Sequence, residues 1–164
     1  MKKIKLVNQE RYVLVDDADF DFLNQFQWYL SVGRYAVTFV NGHIEKMHRL
    51  LLKSPENITI DHIDRNGLNN QRSNLRLATQ TQNNANSRKR GGCSSKYKGV
   101  YRNNKLGCWA VQITYKGKWH HLGVFSSEEE AARQYNKKAR KLFGEYAKLN
   151  IIEDYRVPIC PMGI

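Results

Sequence analysis

The chain has 164 residues, 41% of them hydrophobic and 26% charged, with a formal net charge of +12, which fits one average domain or two small ones. That apolar and aromatic content belongs to a folded chain, not a disordered or collagen-like one, and without a run of ~18 apolar residues neither a secretory leader nor a membrane-spanning helix is expected. The excess of Lys and Arg calls for a polyanionic partner, with nucleic acid ahead of an anionic membrane surface.

In chain order, the acidic stretch Asp16-Asp17-Ala18-Asp19-Phe20-Asp21 reads as the start of a short helix, capped by Asp16 or Asp17, with carboxylates where the dipole is positive. Asn41-Gly42 between residues 34–40 and 43–48 is a hairpin signal, because a tight two-residue turn needs positive φ at both positions. His48-Arg49-Leu50-Leu51-Leu52 then predicts a short buried helix, in which His48 is either a core histidine or a neighbour of phosphate.

Residues 58–63 and 75–78 read as two strands around the polar stretch Asp64-Arg65-Asn66-Gly67-Leu68-Asn69-Asn70, followed by a helix capped by Thr79. If the strands pair, Asp61 and His62 lie at the hairpin edge and Asn83, one turn into the helix, faces Asp61. Such a set suits phosphodiester hydrolysis. A carboxylate and an amide oxygen can hold a hard divalent cation, and an imidazole with an ordinary pKa of ~6.5 can take a proton from water near neutrality.

A basic Gly/Ser-containing stretch, residues 88–95, marks a composition break and is assigned as a flexible linker. Residues 88–148 carry 15 Lys/Arg against 4 Asp/Glu, whereas residues 1–87 carry 11 against 9. The expected organisation is a domain at 1–87, the linker, a second domain at 96–150, and a tail at 151–164 with no readable role.

In the second domain, residues 97–102, 108–115 and 118–125 predict a three-stranded antiparallel meander with a tight turn at Lys116-Gly117. Trp109, Val111, Ile113 and Tyr115 alternate with Ala110, Gln112 and Thr114, giving one apolar and one small, polar face. A helix follows, capped by Ser126 with Glu129 in a capping box and ended by Gly144, whose Ala131, Tyr135, Ala139 and Phe143 stripe covers the apolar face. The other face, bordered by lysines, has the shape of a β-ribbon that enters a DNA groove. Cys93, Cys108 and Cys160, with no Cys-x-x-Cys pair, support neither a disulfide framework nor structural zinc, and His120-His121 point to opposite faces of their strand.

The first half resembles the HNH endonuclease family, specifically its phage and intron-encoded homing branch in which the last His is Asn, with the name positions at His62, Asn74 and Asn83. The resemblance extends forward through Trp28 and His48-Arg49-Leu50. It implies a ββα-metal fold in which His62 is the general base, Asp61 and Asn83 bind one Mg²⁺ or Mn²⁺ per chain, and Asn74 pins the loop that aims His62. It also implies products with 5′-phosphate and 3′-hydroxyl ends. The second half, through Tyr97-Lys98-Gly99-Val100, Trp109-Ala110, His121-Leu122-Gly123-Val124-Phe125, Glu130-Ala131-Ala132 and Phe143-Gly144-Glu145, resembles the APETALA/ethylene-responsive-factor (AP2/ERF) DNA-binding domain. That resemblance implies DNA contacts by Lys98, Tyr101, Arg102, Gln112, Thr114, Trp119 and His121. Tyr101, Thr114, Trp119 and His121 depart from the Arg and Trp usual in that family, so no base preference carries over.

The sequence therefore predicts an α+β protein: an N-terminal ββα-metal nuclease domain and a C-terminal three-stranded sheet packed on one helix. The expected activity is metal-dependent cleavage of double-stranded DNA, in the cytoplasm of a bacterial host, by a monomer or homodimer with no membrane or small-molecule partner. The alternative is a catalytically inert DNA-binding transcriptional regulator.

Overall fold

A computed structural model describes residues 1–89 and 91–153; Arg90 of the linker, Cys160 and most of the expected tail lie outside the described residues. The chain divides into two compact units with the boundary after Ser87.

In the first unit, β1 (Lys2–Lys5) pairs antiparallel with β2 (Tyr12–Val15), and α1 (Asp17–Leu23) follows. A meander of β3 (Tyr29–Leu30), β4 (Ala36–Val40) and β5 (His43–Lys46) leads into α2 (Met47–Leu51). Asn41 and Gly42 both take positive φ at the β4–β5 turn, as a tight hairpin requires. Ile4, Leu6, Val13, Val15, Leu23, Trp28 and Met47 are buried together, and Trp28 keeps its indole satisfied by donating Nε1–H to the Leu23 carbonyl at 2.8 Å.

Asp16 occupies the N-cap position of α1 but its side chain makes no capping bond. Its carboxylate instead accepts from the Arg72 backbone N–H at 2.7 Å and from Gln71 Nε2 at 3.3 Å, while Asp19 holds the Arg72 guanidinium through two bonds of 2.8 Å. The acidic stretch is thus a clamp on a loop more than fifty residues away.

That loop joins β6 (Thr59–His62) to β7 (Leu75–Ala78), an antiparallel pair in which Asp61 stands opposite Arg76 and His62 opposite Leu75. Leu14 of β2 further secures the loop, donating to the Leu68 carbonyl and accepting from the Asn70 N–H, each at 2.8 Å. The helix α3 (Gln80–Asn86) follows directly, entered through a reciprocal capping box between Thr79 and Gln82.

The second unit is a meander of β8 (Val100–Asn103), β9 (Cys108–Tyr115) and β10 (Lys118–Phe125), with β9 central, backed by α4 (Glu128–Phe143). Lys116 and Gly117 make the turn with positive φ. The cap of α4 is Ser127, which accepts from the Glu130 N–H, one residue beyond the Ser126 expected. Ser126 is exposed, and Ser127 Oγ also donates to Glu129 at 3.1 Å. Gly144 closes the helix as expected.

Ala131, Ala132, Tyr135, Ala139 and Phe143 are buried against the Val111 and Ile113 side of the sheet. Beyond α4, Asn150 binds both backbone groups of Lys98, at 2.7 and 3.1 Å, and has its own backbone held by the Asn136 amide at 2.7 and 2.8 Å. Gly99 has φ +76, and a Cβ there would overlap the Tyr135 ring. Gly99→Ala combines a disfavoured φ with overpacking, and the expected outcome is a loss of more than ~2 kcal/mol of the second unit's stability in chemical denaturation; an unshifted transition would contradict this packing.

Candidate active site

The site grows from the β6–β7 hairpin and the helix that follows it. Asp61 is buried, and its Oδ2 accepts from Arg76 Nε at 2.9 Å and Nη2 at 2.8 Å. The two residues are direct cross-strand partners, so the register of the hairpin itself creates the ion pair. Asn86 Nδ2 donates to both carboxylate oxygens at 3.0 and 3.1 Å and to the His62 carbonyl at 2.9 Å.

The amide in contact with Asp61 is therefore that of Asn86, not of Asn83 as the spacing led us to expect. Asn83 lies three residues earlier on α3, half-buried, and its side chain makes no hydrogen bond among the described residues. The seven-residue helix presents the two asparagines on one side, and the second of them is the one that reaches β6.

His62 is 5% exposed, so the ring is more enclosed than a residue at a hairpin edge would be. The Tyr35 ring lies 5.7 Å from it and the His48 ring 5.0 Å, edge to face, with Tyr35 and His48 themselves 5.2 Å apart. His62 Nε2 meets Asn70 Oδ1 at 3.3 Å. Gly67 backs this arrangement: a Cβ there would sit 2.6 Å from the Arg34 carbonyl and 2.7 Å from the Tyr35 ring, so only glycine lets the loop approach Tyr35 this closely.

Asn74 joins the two ends of the loop. Its Nδ2 donates to Asp64 Oδ1 at 2.9 Å and to the Asn69 carbonyl at 2.8 Å, and its Oδ1 accepts from the Asp64 N–H at 3.0 Å. Burial works against ionised Asp64, but hydrogen bonds from Asn66, Asn69 and Asn74 outweigh it and hold the carboxyl below its usual range. Burial likewise pushes His62 below its usual value, partly offset by Asn70 and by the carboxylates of Asp64 and Asp61.

His48 is buried, with Nδ1 sealed from solvent and without a hydrogen-bond partner. Burial, then the charges of His62, Lys46 and Arg49, push it down to about 3. It belongs to the same cluster as His62, and its sequence neighbours gave no way to choose between core and site. The residues that sequence reasoning missed are Arg76, Asn86, Asn70 and Tyr35. Arg76 had a usable signal, since pairing Leu75–Ala78 on Thr59–His62 places it opposite Asp61. Asn70 and Tyr35 had none, because both reach His62 only through tertiary contacts.

A hard divalent cation takes oxygen ligands. Among the described residues Asp61 Oδ1 is contacted only by the Asn86 amide, and a carboxylate offers about four lone-pair sites, so acceptor capacity remains; the Asn83 amide on α3 makes no hydrogen bond among the described residues and keeps its oxygen available. The donor chemistry fits such an ion, with Arg76 already occupying Oδ2. Among the described residues there is no cluster of three or more His, Cys, Asp or Glu that could hold a metal by themselves.

In the second unit, the cross-strand register sorts the predicted DNA contacts by face. Trp119 pairs with Thr114, His121 with Gln112, and Tyr101 with Ala110, so Tyr101, Gln112, Thr114, Trp119 and His121 share the face away from α4. Trp119 is 77% exposed there. Arg102 pairs with Trp109 and its guanidinium lies 5.1 Å over that ring, which puts it on the opposite face and separates it from the set. Lys98 precedes β8, half-buried.

A family model described as HNH endonuclease matches residues 53–85. The chain is 36% identical over 137 residues to an uncharacterized HNH endonuclease, L560, of Acanthamoeba polyphaga mimivirus, covering 80% of this chain and 70% of that one. It is also 33% identical over 94 residues to protein 3.8 of Escherichia phage T7, covering 57% of this chain and 77% of that one. No solved structure matches.

The buried imidazoles make stability pH-dependent. His48 titrates near 3 when folded and near 6.5 when unfolded, so below 6.5 the unfolded chain takes up a proton that the folded chain refuses. The stabilisation is fully present above pH 6.5 and falls as pH drops towards 3, by up to ~1.4 kcal/mol per pH unit for such a group. Denaturant titrations at pH 7, 6 and 5 are expected to show this slope in the wild type and a shallower one in His48→Gln; equal slopes would show that His48 does not carry it.

Proposed function

Because the chain belongs to the HNH endonuclease family, we propose that it is a metal-dependent DNA endonuclease whose second unit docks on the duplex. The observation that carries this reading is the juxtaposition of a buried carboxylate, Asp61, with the imidazole next to it, His62, in a hairpin pinned by Asn74. Bond by bond, a water oxygen attacks phosphorus, the bond to the 3′ oxygen breaks, and the products are a 5′-phosphate and a 3′-hydroxyl. His62 removes the proton from the attacking water, and solvent protonates the departing 3′ oxygen. Asn74 fixes the loop, so the imidazole keeps its aim without sampling other rotamers.

Asp61 and Asn83 are the residues that would hold Mg²⁺ or Mn²⁺. When bound, the ion supplies Lewis-acid stabilisation of charge on the phosphate and the leaving oxygen. Arg76 opposes Asp61 as a fixed cation, so the carboxylate keeps its position without an ion.

The docking surface we assign is the open face of β8–β10, with Tyr101, Gln112, Thr114, Trp119 and His121 facing the major groove, as the likeness to the AP2/ERF domain implies. Arg102 and Lys98 would serve at its margin. The competing reading is an inert DNA-binding regulator, favoured by the low exposure of Asp61 and His62.

Supercoiled plasmid with Mn²⁺ or Mg²⁺ decides between them: the wild type is expected to convert it to nicked or linear DNA, and His62→Ala to slow this by ~100-fold or more. An untouched plasmid with the wild type, across varied DNA sequences, leaves the regulator. Separately, Trp119→Ala is expected to weaken DNA binding by ~1–3 kcal/mol in anisotropy titrations while leaving the salt slope unchanged, since the residue carries no charge. Unaltered affinity would move the docking surface elsewhere.

A further inference from the structure

We propose that Asn70 is a positioning residue that fixes the proton of neutral His62 on Nε2 and so leaves Nδ1 as the nitrogen that accepts a proton, an inference that rests on the reading of His62 as the base. Asn70 is fully buried, and hydrogen bonds hold both its backbone and its amide. Its backbone N–H donates to the Leu14 carbonyl at 2.8 Å, and its Nδ2 donates to the Gly67 carbonyl at 3.3 Å. A carbonyl oxygen only accepts, so the end of the amide that faces Gly67 must be the NH₂ group. The end that meets His62 Nε2 at 3.3 Å is therefore oxygen, which cannot donate.

One consequence follows for the ring. Nε2 must carry the hydrogen, because the other tautomer would press two lone pairs together against the fully buried Asn70 amide. The neutral imidazole then has its lone pair on Nδ1. That nitrogen has no hydrogen-bond partner among the described residues. When Nδ1 accepts a proton from water, the imidazolium keeps its Nε2–H on Asn70, so the supporting bond survives the transfer unchanged. Tyr35 and His48, packed at 5.7 and 5.0 Å, prevent the ring from turning over.

The chain thereby specifies the tautomer through a relay that begins at the backbone. Leu14 of β2 locates Asn70, Gly67 orients its amide, and the amide sets the imidazole. Asn70 touches neither water nor phosphate in this scheme and acts only through His62.

The test is long-range ¹H–¹⁵N correlation of the imidazoles in the full ¹⁵N-labelled chain at pH ~8, where the rings are neutral. His62 signals are identified by their loss in His62→Gln. The wild type is expected to show a protonated Nε2 and a lone-pair Nδ1. Asn70→Ala is expected to average the two nitrogens and to lower the plasmid cleavage rate at saturating DNA by at least about tenfold, with the half-saturating DNA concentration and Mn²⁺ affinity unchanged. Asn70→Asp, which still presents an oxygen to Nε2, is expected to retain the wild-type nitrogen pattern. A wild-type ring protonated on Nδ1, or an Asn70→Ala ring with the pattern unmoved, overturns the proposal. If the nitrogen patterns are as expected and the wild type cuts no DNA, the tautomer assignment stands and the nuclease reading fails alone.

Discussion

The buried pair between Asp61 and Arg76 is the constraint around which the N-terminal unit is arranged. A carboxylate removed from water must find a counter-charge and hydrogen-bond donors or it will not stay ionised. Here one partner comes across the hairpin and the other, Asn86, from the following helix. The pair therefore ties together three elements, β6, β7 and α3. Removing one member of such a pair costs about 3–5 kcal/mol because the survivor is stranded, whereas a one-residue slip of the hairpin would send Arg76 to the other face altogether. The imidazole of His62 inherits its location from this arrangement, being next in sequence on the same strand.

Around that hairpin the polar residues are used as joinery. Asp16 and Asp19 hold Gln71 and Arg72, Asn74 bonds Asp64 and Asn69, and Asn70 spans Gly67 and His62. Of the loop's two large apolar side chains Leu68 is buried and Ile63 exposed, so its shape is set mainly by directional bonds. That is a demanding design, since each buried donor left unsatisfied would cost more than a bond contributes. It also explains why so many asparagines and aspartates gather in a short stretch: their side chains satisfy backbone groups locally.

Much of the secondary structure was legible because local rules decide it. Residues 108–115 alternate cleanly and meet residues 118–125 at Lys116-Gly117, and the observed limits of both strands coincide with the expected ones, although the second carries a register shift between His121 and Gly123. Thr79 as a cap and Asn41-Gly42 as a turn are similarly self-contained signals. What failed was decided by tertiary contacts. Ser126 and Ser127 are chemically equal candidates for a cap, and Asp16 was drawn from its helix by the remote Gln71–Arg72 backbone. Asn83 and Asn86 differ by less than one helical turn, and only the depth at which α3 meets β6 selects the second to touch Asp61. Arg102, expected as a DNA contact by resemblance, is placed by strand parity on the Trp109 side, which the alternation of the strands alone decides. That Asp61, His62 and Asn74 lie at the ends of one hairpin was legible; of the groups around them, Arg76 follows from the register, whereas Asn70 and Tyr35 do not.

The latch formed by Asn136, Asn150 and Lys98 has a practical corollary for anyone dissecting the molecule. The end of α4 resembles a natural stopping point, yet the chain returns past it to satisfy the amide and carbonyl just ahead of the first strand of the sheet. An excised fragment ending at Phe143 would leave those two groups to solvent and let the leading edge of the meander fray. A fragment that keeps this latch therefore extends through Asn150, and a reporter fused to it belongs beyond that residue.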